Sequence, residues 1–351
     1  MHVGIAGAGL LGRLLALQLA QSGHAVEVFD PAPEALNRGA APYAAGWTAA
    51  GMLSPVAELE CADERVFAQG LRSLELWPQI VATLHEVSQL PVELHQHGSL
   101  LLAHRGDEGA ARRVLELLAR KAPPTHAPTA LSVSELRALE PSVQGVTQAW
   151  LLQGEGHIHT VQAMAALAAA GTALGVQWQW GQTVTQVAAA SLQTGGSAHQ
   201  ITRRFDWVFD VRGTGARPDL PMRGVRGEIF WLHAPGLSLQ RPVRLLHPRH
   251  RVYLVPRADD IVVVGASEIE SEDRSPVSLR TTVELLAAAH SVIPELAEAR
   301  IVHTETNLRP ALPDNLPCLV QFDGLTRING LFRHGWLIAP ALVEEALQAM
   351  R

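Results

Sequence analysis

Gly7, Gly9 and Gly12, spaced as G-x-G-x-x-G, are the residues of this chain whose type and spacing point most directly to chemistry. Glycine at these points allows a tight turn, lets the backbone approach a pyrophosphate, and lets a helix pack close to a strand. The N-terminus of the following helix offers unpaired N–H groups and a partial positive charge to an anion. Asp30 ends the next apolar run, where a ribose hydroxyl would need an acceptor. The turn residues Gly7, Ala8, Gly9, Leu10, Leu11 and Gly12, with Asp30, therefore form a candidate dinucleotide site.

The elements that must position these residues are legible around them. His2-Val3-Gly4-Ile5-Ala6 reads as a strand, Leu10, Leu14, Leu17 and Leu19 give the next segment an apolar helical face, and residues 25–29 read as a second strand. This is a βαβ unit. Downstream the sequence predicts a helix over about 63–87 interrupted at Pro78, a strand over 98–104, and helices over 107–121 and 134–139. A helix over 160–175 and strands over 176–180 and 184–187 follow. The polar stretch 193–199 reads as a hairpin tip, and 207–209 as a buried strand ending at Gly213. Residues 224–269 alternate short apolar runs with turns, the pattern of an antiparallel block. A loop from Leu331 leads into a terminal helix.

Composition narrows the class. With 351 residues, 47% of them hydrophobic, the chain can bury a large core and is expected to form two domains. The alanine-rich stretch 161–176 is broken by Gln162, Gly171 and Thr172, so no membrane span is expected. The first strand begins at once, without a basic leader or cleavage site, which predicts a cytoplasmic protein. The two cysteines, Cys61 and Cys318, are far apart, and a net charge of -6 gives no reason to expect nucleic acid. His95 with His97 and His157 with His159 have strand-type spacing, but no adjoining cysteine or carboxylate cluster completes a metal site; they read as surface histidines.

Four later segments occur in a telling order: Ala49-Ala50-Gly51-Met52-Leu53-Ser54-Pro55; Val252-Tyr253-Leu254-Val255-Pro256-Arg257 leading to Val263-Val264-Gly265-Ala266-Ser267; Leu308-Arg309-Pro310 with Asp314 and Pro317; and Phe332-Arg333-His334-Gly335-Trp336-Leu337-Ile338-Ala339-Pro340. With the glycine turn they resemble, from end to end, the D-amino-acid-oxidase group of flavoproteins, most closely the bacterial glycine oxidases of thiamine synthesis.

The resemblance implies an α/β fold: a Rossmann-like FAD-binding domain over 1–85, 142–218 and 305–351, and a discontinuous, mainly antiparallel substrate domain over 86–141 and 219–304. It implies noncovalent FAD, because Cys318 lies past the family's linkage position. Val184 would hold the adenine through its backbone. Ala50, Gly51, Met52 and Gly213 would lie along the cofactor, and Gly335, Trp336, Leu337 and Ile338 would present backbone N–H groups to the flavin's pyrimidine end. Arg309 matches the family's carboxylate-binding arginine, Tyr253 the tyrosine that adds a hydrogen bond, and Arg333 the residue beside the amino group. A planar guanidinium suits the first task because its fork pairs with both carboxylate oxygens.

The implied reaction is oxidative deamination of a small amino acid, glycine first, with molecular oxygen as acceptor and hydrogen peroxide as product. A D-amino-acid or N-methylglycine oxidase or dehydrogenase, an NAD-dependent dehydrogenase, a flavin subunit requiring a partner, and the oligomeric state stay open. Three departures from the family pattern stand out. Gly330-Leu331 replaces Gly-His, Asp210-Val211-Arg212-Gly213-Thr214-Gly215 replaces an Ala-Gly-x-Trp type ending, and bulky Trp336 stands where an aliphatic residue is usual. Asp210 and Arg212 are expected to pair on one strand face. Trp336 would restrict the pocket if its indole projects toward the substrate.

Overall fold

In the computed structural model, which describes residues 1–36, 43–196, 199–247 and 251–350, the first strand His2–Ala6 is central because both of its faces are apolar. It pairs in parallel with Ala25–Asp30 on one side and Trp207–Asp210 on the other. Gln177–Trp180 and Leu325–Asn329 extend the sheet in parallel, and Cys318–Phe322 closes one edge antiparallel, making six strands. Helices Leu10–Gln21, Glu64–Ser88, Thr160–Ala173 and Gly335–Gln348 contribute to one core with this sheet, among them Leu14, Trp77, Met164 and Leu342. The carboxyl ends of the parallel strands bring Gly7, Asp30 and Arg212 to one rim, where open α/β sheets form their ligand crevice.

A second sheet of eight strands runs Arg300–Ala311, Arg223–His233, Ile261–Gly265, Arg251–Arg257, Val243–Leu246, Ser99–Ala103, Gln148–Leu152 and Thr129–Leu131. Its pairings are antiparallel except that between Val243–Leu246 and Ser99–Ala103. Side chains alternate across it with the strand's period of two. Val252, Leu254, Val262 and Val264 pack with helix Leu279–Val292, while Tyr253, Val255 and Val263 face Ala50 and Met52. The sheet takes in residues 148–152 and all of Arg300–Ala311, so segments on both sides of position 305 lie in one strand.

Two small three-stranded sheets complete the fold. Val184–Ala188, Ser191–Gly196 and His199–Arg204 form one, whose expected tip includes residues 197–198, outside the described residues. Met52–Leu53, Gly156–Ile158 and Leu94–His95 form the other, which the residue pattern did not foretell. Among the described residues, no helix is long and apolar enough to cross a membrane.

The expected break at Pro78 is corrected: helix Glu64–Ser88 runs through it without interruption. Proline cannot donate to the carbonyl one turn back, and Gln96 Nε2 supplies the lost bond, donating to Leu74 O at 2.8 Å. The final helix repeats the device. Pro340 frees the Trp336 carbonyl, which accepts from Trp77 Nε1 at 3.0 Å. The expectation that the Trp336 indole restricts the pocket is also corrected. Its ring stacks on Trp77 at 5.5 Å between centroids, and its Nε1 donates to Gly46 O at 3.0 Å, which fixes the indole in the core. Trp336→Ile should therefore lower unfolding free energy by about 2–4 kcal/mol, through lost packing and an orphaned buried carbonyl. Chemical denaturation should show that loss, while the ratio of activities on glycine and D-alanine stays at its wild-type value.

Candidate active site

A cavity of about 1130 Å³ runs between the two large sheets, from Gly7, Asp30 and Val184 at one end to Tyr253, Arg309 and Arg333 at the other. At the first end, a Cβ on Gly12 would lie 1.9 Å from Gly7 O, so only glycine lets the helix start this close to the turn. Gly9 faces space, its nearest neighbour for such a Cβ being Ala44 Cβ at 3.7 Å. The helix it opens, Leu10–Gln21, has no side-chain cap and no acid in its first turn, leaving its N–H groups and partial positive charge to the cavity. Leu10 and Leu11 line the wall. Asp30 accepts from Ala8 N at 2.6 Å and Ala32 N at 2.8 Å, which fixes the turn, and each oxygen retains a second lone pair.

Arg13 braces this end from behind. It is buried and donates to Ala8 O, Met164 O and Ala35 O, each at 2.7 Å, and burial lowers its pKa to about 10. Across the cavity Val184 offers backbone, and its carbonyl accepts from Arg212 at 3.4 Å. Arg212 forms a forked pair with buried Asp210, at 2.9 Å for each contact, and also binds Asp219 at 2.6 Å. The two residues pair as expected, but not on one strand face: the strand ends at Asp210, and Arg212 has helical backbone at the start of the turn that follows. Gly213 lines the wall with its N–H already donated to Asn329 Oδ1 at 2.8 Å.

Midway, Ala50, Gly51 and Met52 form a small-residue wall. Gly51 has φ of +71°, and a Cβ there would meet Ile158 O at 2.2 Å, so the turn requires glycine. The Ala50 carbonyl accepts from buried Arg257, whose pKa burial lowers to about 10. Opposite, the final helix starts at Gly335 without a side-chain cap, and Gly335, Trp336 and Leu337 line the cavity at its N-terminus; Ile338 follows, buried, its N–H bonded to His334 O at 3.0 Å. An elongated cavity with one uncapped helix N-terminus at the phosphate turn and a second near the Ala50–Met52 wall fits a flavin dinucleotide, whose pyrophosphate is anionic and whose pyrimidine end gains negative charge on reduction.

The substrate end is built on the eight-stranded sheet. Tyr253 stands opposite Arg244 and Gly265 in the strand register, and Arg309 opposite Val225. Arg309 Nη1 donates to Ser267 O at 3.0 Å and Arg226 O at 3.4 Å, and no carboxylate among the described residues lies within ion-pairing distance of it. Burial lowers its pKa. Burial likewise raises that of Tyr253, so its hydroxyl stays a neutral donor throughout the physiological range.

Arg333 is engaged differently. Its Nε lies 3.0 Å from Glu58 Oε2, and its Nη1 3.3 Å from Glu268. Glu58 also accepts from Arg244 at 2.7 Å and has His334 Nδ1 3.2 Å from Oε2, close by charge without an aligned hydrogen bond. Burial works against the Glu58 carboxylate, but Arg333 and then Arg244 outweigh it and hold its pKa well below the usual range. Burial also opposes the Arg333 charge, and Glu58 more than compensates, raising its pKa. At this end of the cavity wall Arg333 and Arg244 are paired with Glu58 and Glu268, whereas Arg309 has carbonyl partners only; buried Arg257, outside the wall, likewise donates to carbonyls.

Sequence reasoning missed Glu58. Its signal was the first acid after the apolar run 49–57, within helix Pro55–Glu58. It also placed His157 on the surface, whereas the structure buries it, with its ring 5.1 Å from that of His95 and its pKa lowered to about 2, first by burial and then by Arg257. Among the described residues, no cluster of histidines, cysteines or acids could hold a metal ion.

Gly227 forms the shelf beneath Arg309: a Cβ there would fall 2.7 Å from the guanidinium atoms. Gly227→Ala should leave the backbone in place and displace the guanidinium. Acetate binding to the FAD-loaded protein, followed by flavin absorbance, should weaken about ten- to hundredfold with little change in melting temperature.

Comparison with known proteins agrees with this geometry. Residues 2–348 match the family DAO, FAD dependent oxidoreductase. A protein of Rhizobium etli named for thiamine biosynthesis oxidoreductase ThiO is 35% identical over all of this chain and 96% of its own length. Glycine oxidase of Geobacillus kaustophilus is 26% identical over 96% of this chain and 89% of its own. The crystal structure of glycine oxidase from that organism superposes with a TM-score of 0.83, covering 97% of this chain and 92% of that one at 24% identity. The chain belongs to the DAO family of FAD-dependent oxidoreductases.

Proposed function

We propose that this protein oxidises a small amino acid, glycine first, to its imine at a noncovalently held FAD. The imine hydrolyses to the oxo acid and ammonia, oxygen takes up the two electrons as hydrogen peroxide, and the product supplies thiamine synthesis. The observation that carries this reading is Arg309: a half-buried guanidinium with carbonyl partners only, in the cavity that Tyr253 and the glycine turn also line. The names of the relatives, ThiO and glycine oxidase, support the same reading.

The residues divide the work as follows. Arg309 pairs with the substrate carboxylate through its fork, and Tyr253 adds one hydrogen bond. Arg309, which no carboxylate among the described residues pairs, suits a monocarboxylate whose amine is neutral. FAD, when bound, supplies the acceptor for the hydride that leaves Cα. Removing the hydride from a neutral amine requires no side-chain base, and Glu58, locked between arginines, is not free to act as one. The turn Gly7–Gly12 and Asp30 would hold the dinucleotide, Val184 the adenine, Ala50–Met52 one side of the ring, and the N-terminus of the final helix its pyrimidine end. Arg333, held by Glu58, would stand beside the amine.

Purified protein with FAD should consume oxygen and release peroxide on addition of glycine. Arg309→Met should keep FAD and lose roughly 30-fold to several thousand-fold in kcat/KM, equivalent to about 2–5 kcal/mol for a charge-assisted pair. Tyr253→Phe should lose less, about 0.5–3 kcal/mol. Full activity in the Arg309 variant, or flavin reduction by a large D-amino acid but never by glycine, would overturn the reading. Acid precipitation should leave the flavin in solution, since Cys318 lies outside the cavity wall on the edge strand Cys318–Phe322; flavin retained in the precipitate would contradict noncovalent binding.

A further inference from the structure

We infer that Glu58 determines the charge class of the substrate: its carboxylate fills, from inside the protein, a second anion site made by Arg333, Arg244 and His334. This inference rests on the reading of Arg309 as the anchor for the substrate carboxylate.

The four groups gather around a single carboxylate, with hydrogen bonds to Oε1 and charge contacts at Oε2. Glu58 Oε1 accepts from Arg244 at 2.7 Å and from Arg333 Nη2 at 3.3 Å, while Oε2 faces Arg333 Nε at 3.0 Å and His334 Nδ1 at 3.2 Å. This is the donor set a protein offers to an external carboxylate, and both guanidiniums reach it from elements that also wall the cavity. Arg244 lies on Val243–Leu246, directly opposite Tyr253, and Arg333 precedes the final helix. Arg309, Arg333, Arg244, Glu58 and Tyr253 line the same end of one cavity, so the two anion sites share it.

Glu58 itself is held in place from behind. Glu155, buried, accepts from Ala57 N at 2.9 Å and from Ser99 Oγ at 2.5 Å, which anchors the short helix carrying Glu58 to the eight-stranded sheet. The second site is therefore built and permanently occupied. A substrate with one carboxylate meets Arg309 alone. A substrate with two meets the Glu58 charge where its second carboxylate would go, and like-charge juxtaposition excludes it.

The test reads binding without turnover. Acetate and malonate, neither of which can be deaminated, are titrated against the FAD-loaded protein by flavin absorbance, with displacement by glycine as a check. Wild type should bind acetate at least about tenfold more tightly than malonate, a difference set by one like-charge contact. Glu58→Gln keeps the shape and removes the charge, and should move that ratio at least about tenfold toward malonate. In Glu58→Ala, formate should fill the emptied site and restore the preference for acetate, a rescue that loss of structure would not give. Wild type that binds malonate as tightly as acetate overturns the inference before any variant is made, as does an unchanged ratio in Glu58→Gln. A protein that shows the predicted ratio but is not reduced by glycine would refute the proposed activity while leaving the role of Glu58 intact; one that binds neither anion refutes both.

Discussion

A half-buried guanidinium on a cavity wall with only carbonyl oxygens for partners is a costly thing to build, and the placement of Arg309 is the constraint from which the rest of the site follows. Withdrawing a charge from water without a counter-ion is costly unless hydrogen bonds hold it, and an arriving anion offsets that cost further. Ser267 and Arg226 supply the carbonyls, Gly227 leaves room for the planar group, and Tyr253 lines the same cavity. The other two arginines nearby differ because Glu58 neutralises them. One cavity thus contains a satisfied ionic cluster and an unsatisfied cation, side by side, and the contrast gives the pocket its direction.

The two large sheets share the work of making that cavity. The parallel sheet gathers the glycine turn, Asp30 and the Asp210–Arg212 pair at its carboxyl edge, and two helices open toward the same space without side-chain caps. The antiparallel sheet supplies side chains whose alternation separates a core face from a cavity face, so that Val252 and Leu254 pack with a helix while Tyr253 between them meets the ligand space. The short helix Pro55–Glu58 bridges the halves: it leaves the Ala50–Met52 wall, is pinned by Glu155, and delivers Glu58 to arginines of both.

What could be read from the sequence was what depends on local pattern. The turn Gly7–Gly12, the strands around it and Asp30 carry their own stereochemistry, and Asp210 and Arg212 pair through their nearness in sequence although Arg212 lies past the strand end. Family likeness brought in Tyr253, Arg309 and Arg333, which no local rule singles out. The misses depended on distant partners. Pro78 reads as a helix break until Gln96 is known to take the Leu74 carbonyl, and Trp336 reads as a pocket residue until Trp77 and Gly46 claim its ring. Glu58 and His157 look like ordinary surface residues because their surroundings come from other elements. The strand Arg300–Ala311 was hidden by Pro310, which it tolerates because it lies at the sheet edge and pairs on one side only.

The most direct test of the account is a crystal structure of the FAD-loaded protein with acetate in the cavity. The account predicts the acetate carboxylate on the Arg309 fork and the Tyr253 hydroxyl, with Glu58 still bound to Arg333 and Arg244. Acetate seated on Arg333 in place of Glu58, with Arg309 left to its carbonyl partners, would contradict it.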